Sequence, residues 1–347
     1  MPKVSVIIPC LNEAKFIGPC LDSVLSGEFP ADDLEILVVD GNSEDGTGPI
    51  VDEYAARHPR VRRLANPRRN TPSALNVGLA HATGDIIVRL DAHATYAANY
   101  ISLLVQWLDR SGADNVGGIW ETMPADTDPI CRAIAVALSY PFGVGNSYFR
   151  IGSREPRWVE TVPFGCYRRE VFERIGVFDE ELLRNQDDEF NYRLIKHGGR
   201  ILLVPEIVSR YYARSSYYQL WRMYFQYGLF KPLVIRKIGA VVRVRHTIPA
   251  LLVGSIATSL LLGLWMRPFL AVSAALLALY ILATLFAAAA AVRRDSAATP
   301  ALLPWLCAAF ATIHWAYGAG FICGIYKVAA RRWHGGAPAA QWIAISR

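Results

Sequence analysis

Residues 35–47 read EILVVDGNSEDGT, and this stretch decides the fold class. Its apolar, β-branched half predicts a strand buried on both faces, and its turn-rich polar half predicts the loop that follows. Similar strands are predicted at residues 4–9 (VSVIIP) and 85–90 (DIIVRL), with helical spacing of apolar residues between consecutive strands. This alternation predicts an α/β protein with a largely parallel, doubly wound sheet. Such sheets bind their ligands beyond the carboxyl ends of the strands.

Long apolar runs separate the C-terminal third of the chain from the rest. The sequence is 53% hydrophobic with a mean hydropathy of +0.22, and the excess lies beyond Ile248. Three runs, at about residues 248–266, 268–292 and 301–326, each reach the ~20 residues that a helix needs to cross a bilayer. We therefore expect about three transmembrane helices within residues 248–326.

Basic residues cluster at the ends of these apolar runs. The net charge is +6, and the tightest clusters lie at residues 236–246, 293–294 and 327–334. They flank apolar segments, and no basic block with interleaved aromatic residues occurs earlier in the chain, so they favour anionic lipid headgroups over nucleic acid. The aromatic residues ahead of the first apolar run predict an interfacial amphipathic segment at 215–245, and a basic tail follows at 327–347.

The cysteines and the N-terminus predict the compartment. None of the six cysteines forms a CxxC pair and two lie in apolar runs, so neither a disulfide framework nor a zinc site is expected. Met1-Pro2-Lys3 leads directly into the first predicted strand, so we expect no signal peptide. We expect residues 1–230 to form a cytoplasmic domain of a multi-pass protein in the cytoplasmic (inner) membrane.

Acidic side chains cluster at four places, three of them after predicted strands and one at the start of a predicted helix. Residues 9–13 (PCLNE) and 40–47 (DGNSEDGT) end the first two strands, and their carboxylates can accept hydrogen bonds from the imide and ribose of a nucleotide. Asp91 and His93 follow a later strand, and residues 185–189 (NQDDE) open a helix, where one carboxylate could deprotonate a hydroxyl group. Each cluster has a simpler explanation as turn, cap or helix-dipole chemistry.

A divalent cation is the expected cofactor at Asp91 and His93. A carboxylate and an imidazole two residues apart at a strand end can face one cation, Mg²⁺ by hard oxygen chemistry or Mn²⁺ because of the imidazole. Such a cation would neutralise the diphosphate that leaves a sugar nucleotide. Taken alone, however, a histidine at this place is more often a loop residue with an internal partner.

The order and spacing of the four clusters resemble family 2 glycosyltransferases, which have the GT-A fold. The resemblance covers about residues 3–230, and the matching stretches are VSVIIPCLNE, VVDGNSEDGT, ALNVGLAHATGDIIVRLDAHA, PFGCYRREVFERIGVFDEEL and NQDDEFNYRL. Within the family, the chain resembles the membrane-bound bacterial exopolysaccharide type that builds succinoglycan, in which DAH replaces the usual DxD. The resemblance implies a GT-A doubly wound mixed sheet, followed by a C-terminal transmembrane helical region.

The resemblance also implies a role for individual residues. Asp187 is the expected catalytic base, with Asp188 as the alternative because Gln186 stands where the family has Glu. The donor-binding residues implied are Pro9, Glu13, Asp40, Arg69 and Asp91, the metal ligands are Asp91 and His93, and the acceptor-binding residues are Phe164, Gly165 and Cys166.

The implied reaction is inverting, metal-dependent transfer of a sugar from a nucleotide-diphospho-sugar, a UDP-hexose, to a polyprenyl-linked saccharide at the membrane. Processive members carry Gln-x-x-Arg-Trp, whereas here Gln219 and Arg222 are followed by Met223, so the enzyme is expected to be non-processive. The alternative is an inactive relative that binds or scaffolds at the membrane. A nucleotidyltransferase is disfavoured because Lys15 is the single basic residue near the first loop.

Overall fold

Nine strands pair into one mixed sheet in the computed structural model, which describes residues 2–239, 244–295 and 299–330. The strands are β1 Val4–Cys10, β2 Leu34–Asp40, β3 Val61–Ala65, β4 Ile86–Arg89, β5 Ala94–Tyr96, β6 Asn115–Met123, β7 Arg157–Val159, β8 Cys166–Arg168 and β9 Ile201–Tyr212. The order is β3-β2-β1-β4-β8-β6-β9-β5, and β7 pairs with β9. β1 to β4 are parallel and the remaining described pairings are antiparallel, so the predicted mixed sheet is confirmed.

Register brings the predicted site loops to one edge of this sheet. In the β1–β2 pair Cys10 lies opposite Asp40, and in the β1–β4 pair Ile7 lies opposite Arg89. The loops that leave β1, β2 and β4 therefore start from the same carboxyl edge, as the crossover rule for parallel strands requires.

Thirteen α-helices occur in the described part of the chain. They are α1 Ala14–Leu25, α2 Thr47–Arg57, α3 Thr71–His81, α4 Tyr100–Ser111, α5 Pro129–Leu138, α6 Pro141–Val144, α7 Tyr148–Ile151, α8 Arg169–Ile175, α9 Gln186–Lys196, α10 Tyr217–Ile238, α11 Ile248–Gly263, α12 Pro268–Arg294 and α13 Leu303–Ala329. Local capping chemistry explains several starts: the Asn70 side chain accepts from Ser73 N at α3, and the Ser216 side chain accepts from Gln219 N at α10.

The described chain divides into two units, and the first comprises residues up to 121 together with 148–212. Its sheet carries helices on both faces. Alternate residues of β1 point to opposite sides of the sheet and therefore join different cores. Val6 and Ile8 join the core formed with α1, α2 and α4, whereas Ile7 joins the core formed with α3, α8 and α9. Each such fully buried aliphatic side chain contributes roughly 1.5–3 kcal/mol to stability. This two-sided core is what the continuous apolar strands predict.

The second unit contains residues 122–147 and the described chain from residue 213 onward. Helix α12 and residues Pro300–Ala329 are long and apolar enough to cross a membrane, while α11 is apolar but has 16 residues. Large side chains of α12 such as Phe286 are exposed, as expected of a surface that faces lipid. The two long helices are therefore candidate membrane spans, and the number of crossings stays a prediction.

Several predicted boundaries differ from the structure. The Gly-, Asn- and Ser-containing stretch at residues 143–154 predicts a loop, but it overlaps the short helix α6 and contains α7. The apolar run at residues 200–204 predicts a short strand, and the observed strand β9 continues to Tyr212. The aromatic segment ahead of the apolar runs is a 22-residue helix, α10, and its consecutive residues 228–234 are all buried. Parts of two predicted segments, residues 240–243 of the interfacial segment and 331–347 of the basic tail, lie outside the described residues.

Candidate functional site

The loops after β1 and β2 are linked by hydrogen bonds between side chains of one loop and backbone amides of the other. The amide of Asn12 donates to Ser43 Oγ at 2.7 Å, and the amide of Glu13 donates to Thr47 Oγ1 at 2.8 Å. In return, Asn12 Oδ1 accepts from the amide of Glu44 at 2.6 Å. The two loops therefore form one preorganised surface beside Glu13, a predicted donor-binding residue.

Asp40, the predicted nucleobase contact, is held rigidly at the end of β2. Its residue is 3% exposed, and its Oδ1 accepts from the amide of Ser43 at 3.1 Å and from Ser43 Oγ at 2.6 Å. Oδ2 pairs with Arg63 Nη1 at 3.3 Å. Because a carboxylate oxygen has more than one lone pair, these partners orient Asp40 and leave it able to accept a further hydrogen bond from a ligand.

Pro9 and Arg69, two further predicted donor-binding residues, adjoin these loops. Pro9 is partly exposed and lies opposite Val39 in the sheet. Arg69 Nη1 donates to Glu44 Oε1 at 2.8 Å, and a Cβ atom on Gly41 would lie 3.4 Å from the Cα atom of Arg69. The backbone of Arg69 thus packs directly against the loop that follows Asp40, close to the predicted donor-binding residues.

One guanidinium group joins two of the predicted functional carboxylates. Arg89, at the end of β4, donates from Nη2 to Asp91 Oδ1 at 2.9 Å and from Nη1 to Asp187 Oδ2. Oδ1 of Asp187 is buried and has no hydrogen-bond partner among the described residues. The structure therefore brings together the predicted metal-binding carboxylate and the predicted base, which lie far apart in the sequence.

Burial and ion pairing give these two carboxylates different proton affinities. Burial would raise the pKa of Asp91, but the charges of Arg89 and His93 outweigh it and hold the pKa below its usual range. Burial raises the pKa of Asp187, and the pairing with Arg89 offsets only part of that effect. Asp91 is thus held as an anion, while Asp187 is shifted toward the range of a general base.

His93 lies beside Glu13 at the same edge of the sheet. Its Nδ1 is 3.4 Å from Glu13 Oε1, and its ring meets the ring of Tyr211 edge-on at a centroid distance of 5.9 Å. Tyr96 fixes the backbone of Asp91, because its hydroxyl accepts from the amide at 2.9 Å and donates to the carbonyl at 3.0 Å. These contacts hold the His93 ring and the backbone of Asp91 in place.

The donor set fits a hard divalent cation. Asp91 supplies an ionised carboxylate and His93 an imidazole, the ligand types that suit Mg²⁺ and Mn²⁺. Within residues 2–239, 244–295 and 299–330, no group of three or more acidic, histidine or cysteine side chains is assembled as a metal cage. Two protein ligands match a site in which a substrate supplies the remaining oxygens.

The stretch predicted to contact the acceptor is largely internal. Cys166 is fully buried in β8, and the ring of Phe164 packs against Tyr96 and Trp120. A Cβ atom on Gly165 would lie 2.5 Å from the Tyr167 ring. The side chains of Phe164 and Cys166 are therefore part of the core. Contact between this segment and the acceptor stays a prediction, and it would involve the backbone.

Backbone strain is concentrated around the predicted site. Five described residues other than glycine have φ angles between 48° and 62°, and they are Asn12, Asn42, Arg69, Phe164 and Asn185. Each lies within two residues of a predicted site residue or is one itself, and Asn185 is the residue before α9, which carries Asp187 and the partly exposed Asp188. Strained backbone of this kind persists where the surrounding structure holds it, as it does at functional sites.

Sequence reasoning missed an aromatic wall beside His93. Trp120 of β6 stacks on Tyr211 of β9 at a centroid distance of 4.4 Å and an interplanar angle of 9°. The guanidinium of Arg150 lies 4.5 Å from the Trp120 ring centroid. No local pattern could have predicted this wall, since three separate elements contribute to it.

Comparison with known proteins agrees with this geometry. The model of glycosyl transferase family 2 matches residues 5–176. Succinoglycan biosynthesis protein ExoA of Rhizobium meliloti is 34% identical over 265 residues, which are 75% of this chain and 79% of that protein. A Methanococcus voltae protein is 31% identical over 242 residues, 67% of this chain and 74% of its own length. It is named dolichyl N-acetyl-alpha-D-glucosaminyl phosphate 3-beta-D-2,3-diacetamido-2,3-dideoxy-beta-D-glucuronosyltransferase.

Two solved structures share the fold. The mannosyltransferase PcManGT from Pyrobaculum calidifontis, in complex with GDP-Man and Mn²⁺, has a TM-score of 0.53 at 23% identity and covers 99% of this chain and 79% of its own. Residues 1–349 of S. aureus TarS, in complex with UDP, give a TM-score of 0.50 at 19% identity and cover 94% of this chain and 92% of that chain. They confirm the predicted GT-A sheet. With the family model and the ExoA relationship, they show that this chain belongs to glycosyltransferase family 2 and is a transferase of the hexosyltransferase class.

Proposed function

We propose that the enzyme moves a hexose from a nucleotide-diphospho-sugar, a UDP-hexose, to a lipid-linked saccharide. The transfer is metal-dependent, inverts the anomeric centre and adds one sugar at a time. The observation that carries this proposal is the position of Arg89 between Asp91 and Asp187. Arg89 brings Asp91, an ionised carboxylate that can bind a metal ion, close to Asp187, a carboxylate whose pKa is raised. Such a transfer needs both a metal ligand and a general base.

The donor nucleotide would lie on the surface formed by the loops after β1 and β2. Asp40 and Glu13 present carboxylates there, and Pro9 presents an apolar edge against which a nucleoside can pack. Arg69 supplies a positive charge next to this surface, which favours a diphosphate. The GDP-Man and UDP complexes of the two structural neighbours support a nucleotide ligand on this fold.

Asp91 and His93 would hold the divalent cation, Mn²⁺ or Mg²⁺. When bound, the ion supplies Lewis-acid stabilisation of the charge that develops on the leaving diphosphate. Arg89 keeps Asp91 ionised through a hydrogen bond of 2.9 Å, and Glu13 holds His93 through its contact of 3.4 Å. The protein therefore fixes both ligands before any substrate arrives.

Asp187 would act as the base, and Asp188 is the alternative. Oδ2 of Asp187 is held by Arg89, whereas Oδ1 has no partner in the described part of the chain and is free to accept a proton. Deprotonated by Asp187, the acceptor hydroxyl attacks C1 of the sugar, the bond from C1 to the diphosphate oxygen breaks, and the nucleoside diphosphate leaves. Attack from the opposite side inverts the anomeric carbon.

The acceptor is proposed to be a polyprenyl-linked saccharide in exopolysaccharide or glycoconjugate synthesis. The relatives named for succinoglycan biosynthesis and for a dolichyl-linked substrate support this class. The two candidate membrane spans support a place at the membrane. We assign residues 1–230 to a catalytic domain facing the cytoplasm and residues 248–326 to the part embedded in the cytoplasmic membrane, followed by a basic tail.

A donor screen on the purified full-length protein tests this proposal. UDP- and GDP-sugars are offered with a short polyprenyl-diphosphate saccharide in Mn²⁺, Mg²⁺ or EDTA, and the released nucleotide and the anomeric configuration of the product are measured. We expect one UDP-sugar to react, to react only when a divalent metal ion is present, and to give a product with inverted anomeric configuration. Retention of configuration or full activity in EDTA would contradict the mechanism. Donor binding without turnover on any acceptor would favour the inactive, scaffolding alternative.

A further inference from the structure

Arg150, on the short helix α7, is a buried cation without a counterion among the described residues. The residue is 8% exposed, and its Nη1 atom is buried with no hydrogen-bond partner in the described chain. Its neighbours are aromatic: the guanidinium carbon lies 4.5 Å from the ring centroid of Trp120, 5.4 Å from that of Phe149 and 5.6 Å from that of Tyr211. No described carboxylate forms an ion pair with it.

Such a group is unfavourable in the free protein. A buried charge loses its hydration, and proteins normally compensate by pairing it with an opposite charge and satisfying its hydrogen bonds. Aromatic faces attract the guanidinium but accept none of its in-plane N–H hydrogen bonds. The cost persists unless a ligand supplies the missing anion, and sites of this kind are often functional.

A second unsatisfied donor lies beside the first. Trp120 Nε1 is buried and has no hydrogen-bond partner within the described residues, and its ring is the one closest to the Arg150 guanidinium. This group of side chains adjoins His93, because Tyr211 stacks on Trp120 and meets the His93 ring edge-on. One cation and one neutral donor therefore stand together near the proposed cation ligands, with nothing in the described chain to accept from them.

We propose that Arg150 and the indole N–H of Trp120 form a binding site for a substrate phosphate group. A phosphate oxygen supplies both the charge that Arg150 lacks and an acceptor for Trp120 Nε1, and guanidinium groups favour phosphate geometry. The phosphate belongs either to the donor diphosphate or to the lipid-linked acceptor, and in either case this assignment rests on the proposed function. Arg150 binds and positions substrate here and takes no part in proton transfer.

A purely structural role for Arg150 makes the opposite prediction about stability. If the three aromatic contacts were its purpose, Arg150→Met would weaken the protein and leave ligand binding unchanged. If the cation waits for an anion, Arg150→Met removes an uncompensated buried charge while it keeps much of the side-chain volume. The melting temperature of the ligand-free variant then equals or exceeds that of the original protein.

The test measures phosphate binding on the full-length protein in detergent with EDTA present. Isothermal titration and thermal shift are recorded with inorganic pyrophosphate and, separately, with a short-chain polyprenyl phosphate. Arg150→Met is expected to lose at least tenfold in affinity for one of the two probes, and Trp120→Phe a smaller factor. Loss for pyrophosphate assigns the site to the donor, and loss for the polyprenyl phosphate assigns it to the acceptor.

Arg157→Met is the matched control. Arg157 lies 3.8 Å from the Tyr148 ring centroid but is exposed, so it should change neither affinity. Unchanged affinity of Arg150→Met for both probes would overturn the proposal, and so would failure of the original protein to bind either one. If Arg150→Met does not fold, Trp120→Phe carries the same comparison. Since neither probe needs to react, binding can be found even where sugar transfer is not.

Discussion

Arg89 pairs with Asp187 through Nη1 and Oδ2, although 98 positions separate the two residues in the chain. Arg89 ends β4, a strand of the parallel half of the sheet, and Asp187 lies in the first turn of α9. The same guanidinium holds Asp91 through Nη2. A change at any of the three therefore alters the charge balance of the other two, which makes their pH dependence informative.

Replacing Asp187 with asparagine removes the proposed base and keeps its shape. We expect kcat to fall by about 10²–10⁴-fold, the usual contribution of a general base, with donor affinity nearly unchanged. Transfer assays and titration with the nucleoside diphosphate measure the two quantities separately. Loss of donor affinity without an effect on kcat would assign Asp187 to substrate binding instead.

Asp188→Asn is the matched control for that change. Asp188 is the adjacent partly exposed carboxylate on the same helical turn, so the substitution makes the same chemical change one position away. We expect a much smaller loss of kcat. If Asp188→Asn proved the more damaging of the two variants, the base would be Asp188, the alternative that the glutamine at 186 leaves open.

Arg89→Gln should move the acid limb of the pH–rate profile to higher pH. Arg89 lowers the pKa of Asp91 and, in part, that of Asp187, so its loss raises both. The base must be ionised to work, so activity is lost at a higher pH as the solution is acidified. The profile of kcat against pH measures this.

Arg168→Gln is the control for Arg89→Gln, because it removes an exposed ion pair with Asp109 and should leave the acid limb in place. An unshifted limb in Arg89→Gln would mean that another group sets it.

His93→Asp replaces the imidazole with a second carboxylate and so changes Asp91-x-His93 into a DxD pattern. Since a second carboxylate replaces the imidazole, we expect activity to be kept and the preference to move from Mn²⁺ toward Mg²⁺. The ratio of initial rates in the two metals measures the effect. His81→Gln, on the exposed end of α3, serves as the control. An unchanged metal ratio in His93→Asp would indicate that position 93 does not contact the ion.

The strand ends were predictable because the signals are local. An apolar, β-branched run that stops at a carboxylate marks both the strand and the residue that leaves it, and β2 ends at Asp40 as predicted. Parallel pairing then brings successive strand ends to one edge. The structure accordingly places Glu13, Asp40 and Asp91 at loops of the same sheet edge.

The partners of these residues were not predictable, because they come from distant elements. The wall formed by Trp120, Arg150 and Tyr211 joins β6, α7 and β9, and no spacing in the sequence relates them. The extension of β9 to Tyr212 was missed for another reason. The apolar run that predicts this strand stops at Pro205, a residue that usually ends a strand. The backbone nevertheless continues through Pro205, and buried and more exposed residues alternate after it.

Glu35→Gln should destabilise the first unit in a pH-dependent way. Glu35 Oε1 accepts from Ser5 Oγ at 2.5 Å and from the amide and hydroxyl of Thr83 at 2.6 and 2.8 Å. Burial would raise the pKa of Glu35, but these hydrogen bonds outweigh it and lower the pKa. An amide in its place loses the charge-assisted bonds, at a cost of about 1–3 kcal/mol in the free energy of unfolding.

The sign of the pH effect follows from the lowered pKa. The stabilisation by Glu35 is present above the carboxyl pKa of the unfolded chain and is lost as the pH falls through the folded pKa. The difference between wild type and Glu35→Gln should therefore be full at neutral pH and shrink on acidification, as measured by chemical denaturation at several pH values. Glu53→Gln, which removes an exposed ion pair with Arg57, should cost little at any pH. A difference independent of pH would rule out the ionised carboxylate as its source.

Gly320→Leu should separate two helices of the second unit. A Cβ atom at Gly320 of α13 would lie 2.1 Å from the carbonyl oxygen of Phe225 in α10, and one at Gly228 of α10 would lie 2.1 Å from the carbonyl of Tyr317 in α13. The backbones thus approach through glycines on both helices, the packing that small residues permit in apolar surroundings.

A leucine at position 320 cannot fit without moving a backbone. We expect the free energy of unfolding to fall by about 1–3 kcal/mol or more, seen as a lower melting temperature in detergent. Gly254→Ala is the control, because its Cβ would meet Ile322 at an ordinary 3.8 Å. If Gly320→Leu melted at the wild-type temperature, the close approach of α10 and α13 would not be a source of stability.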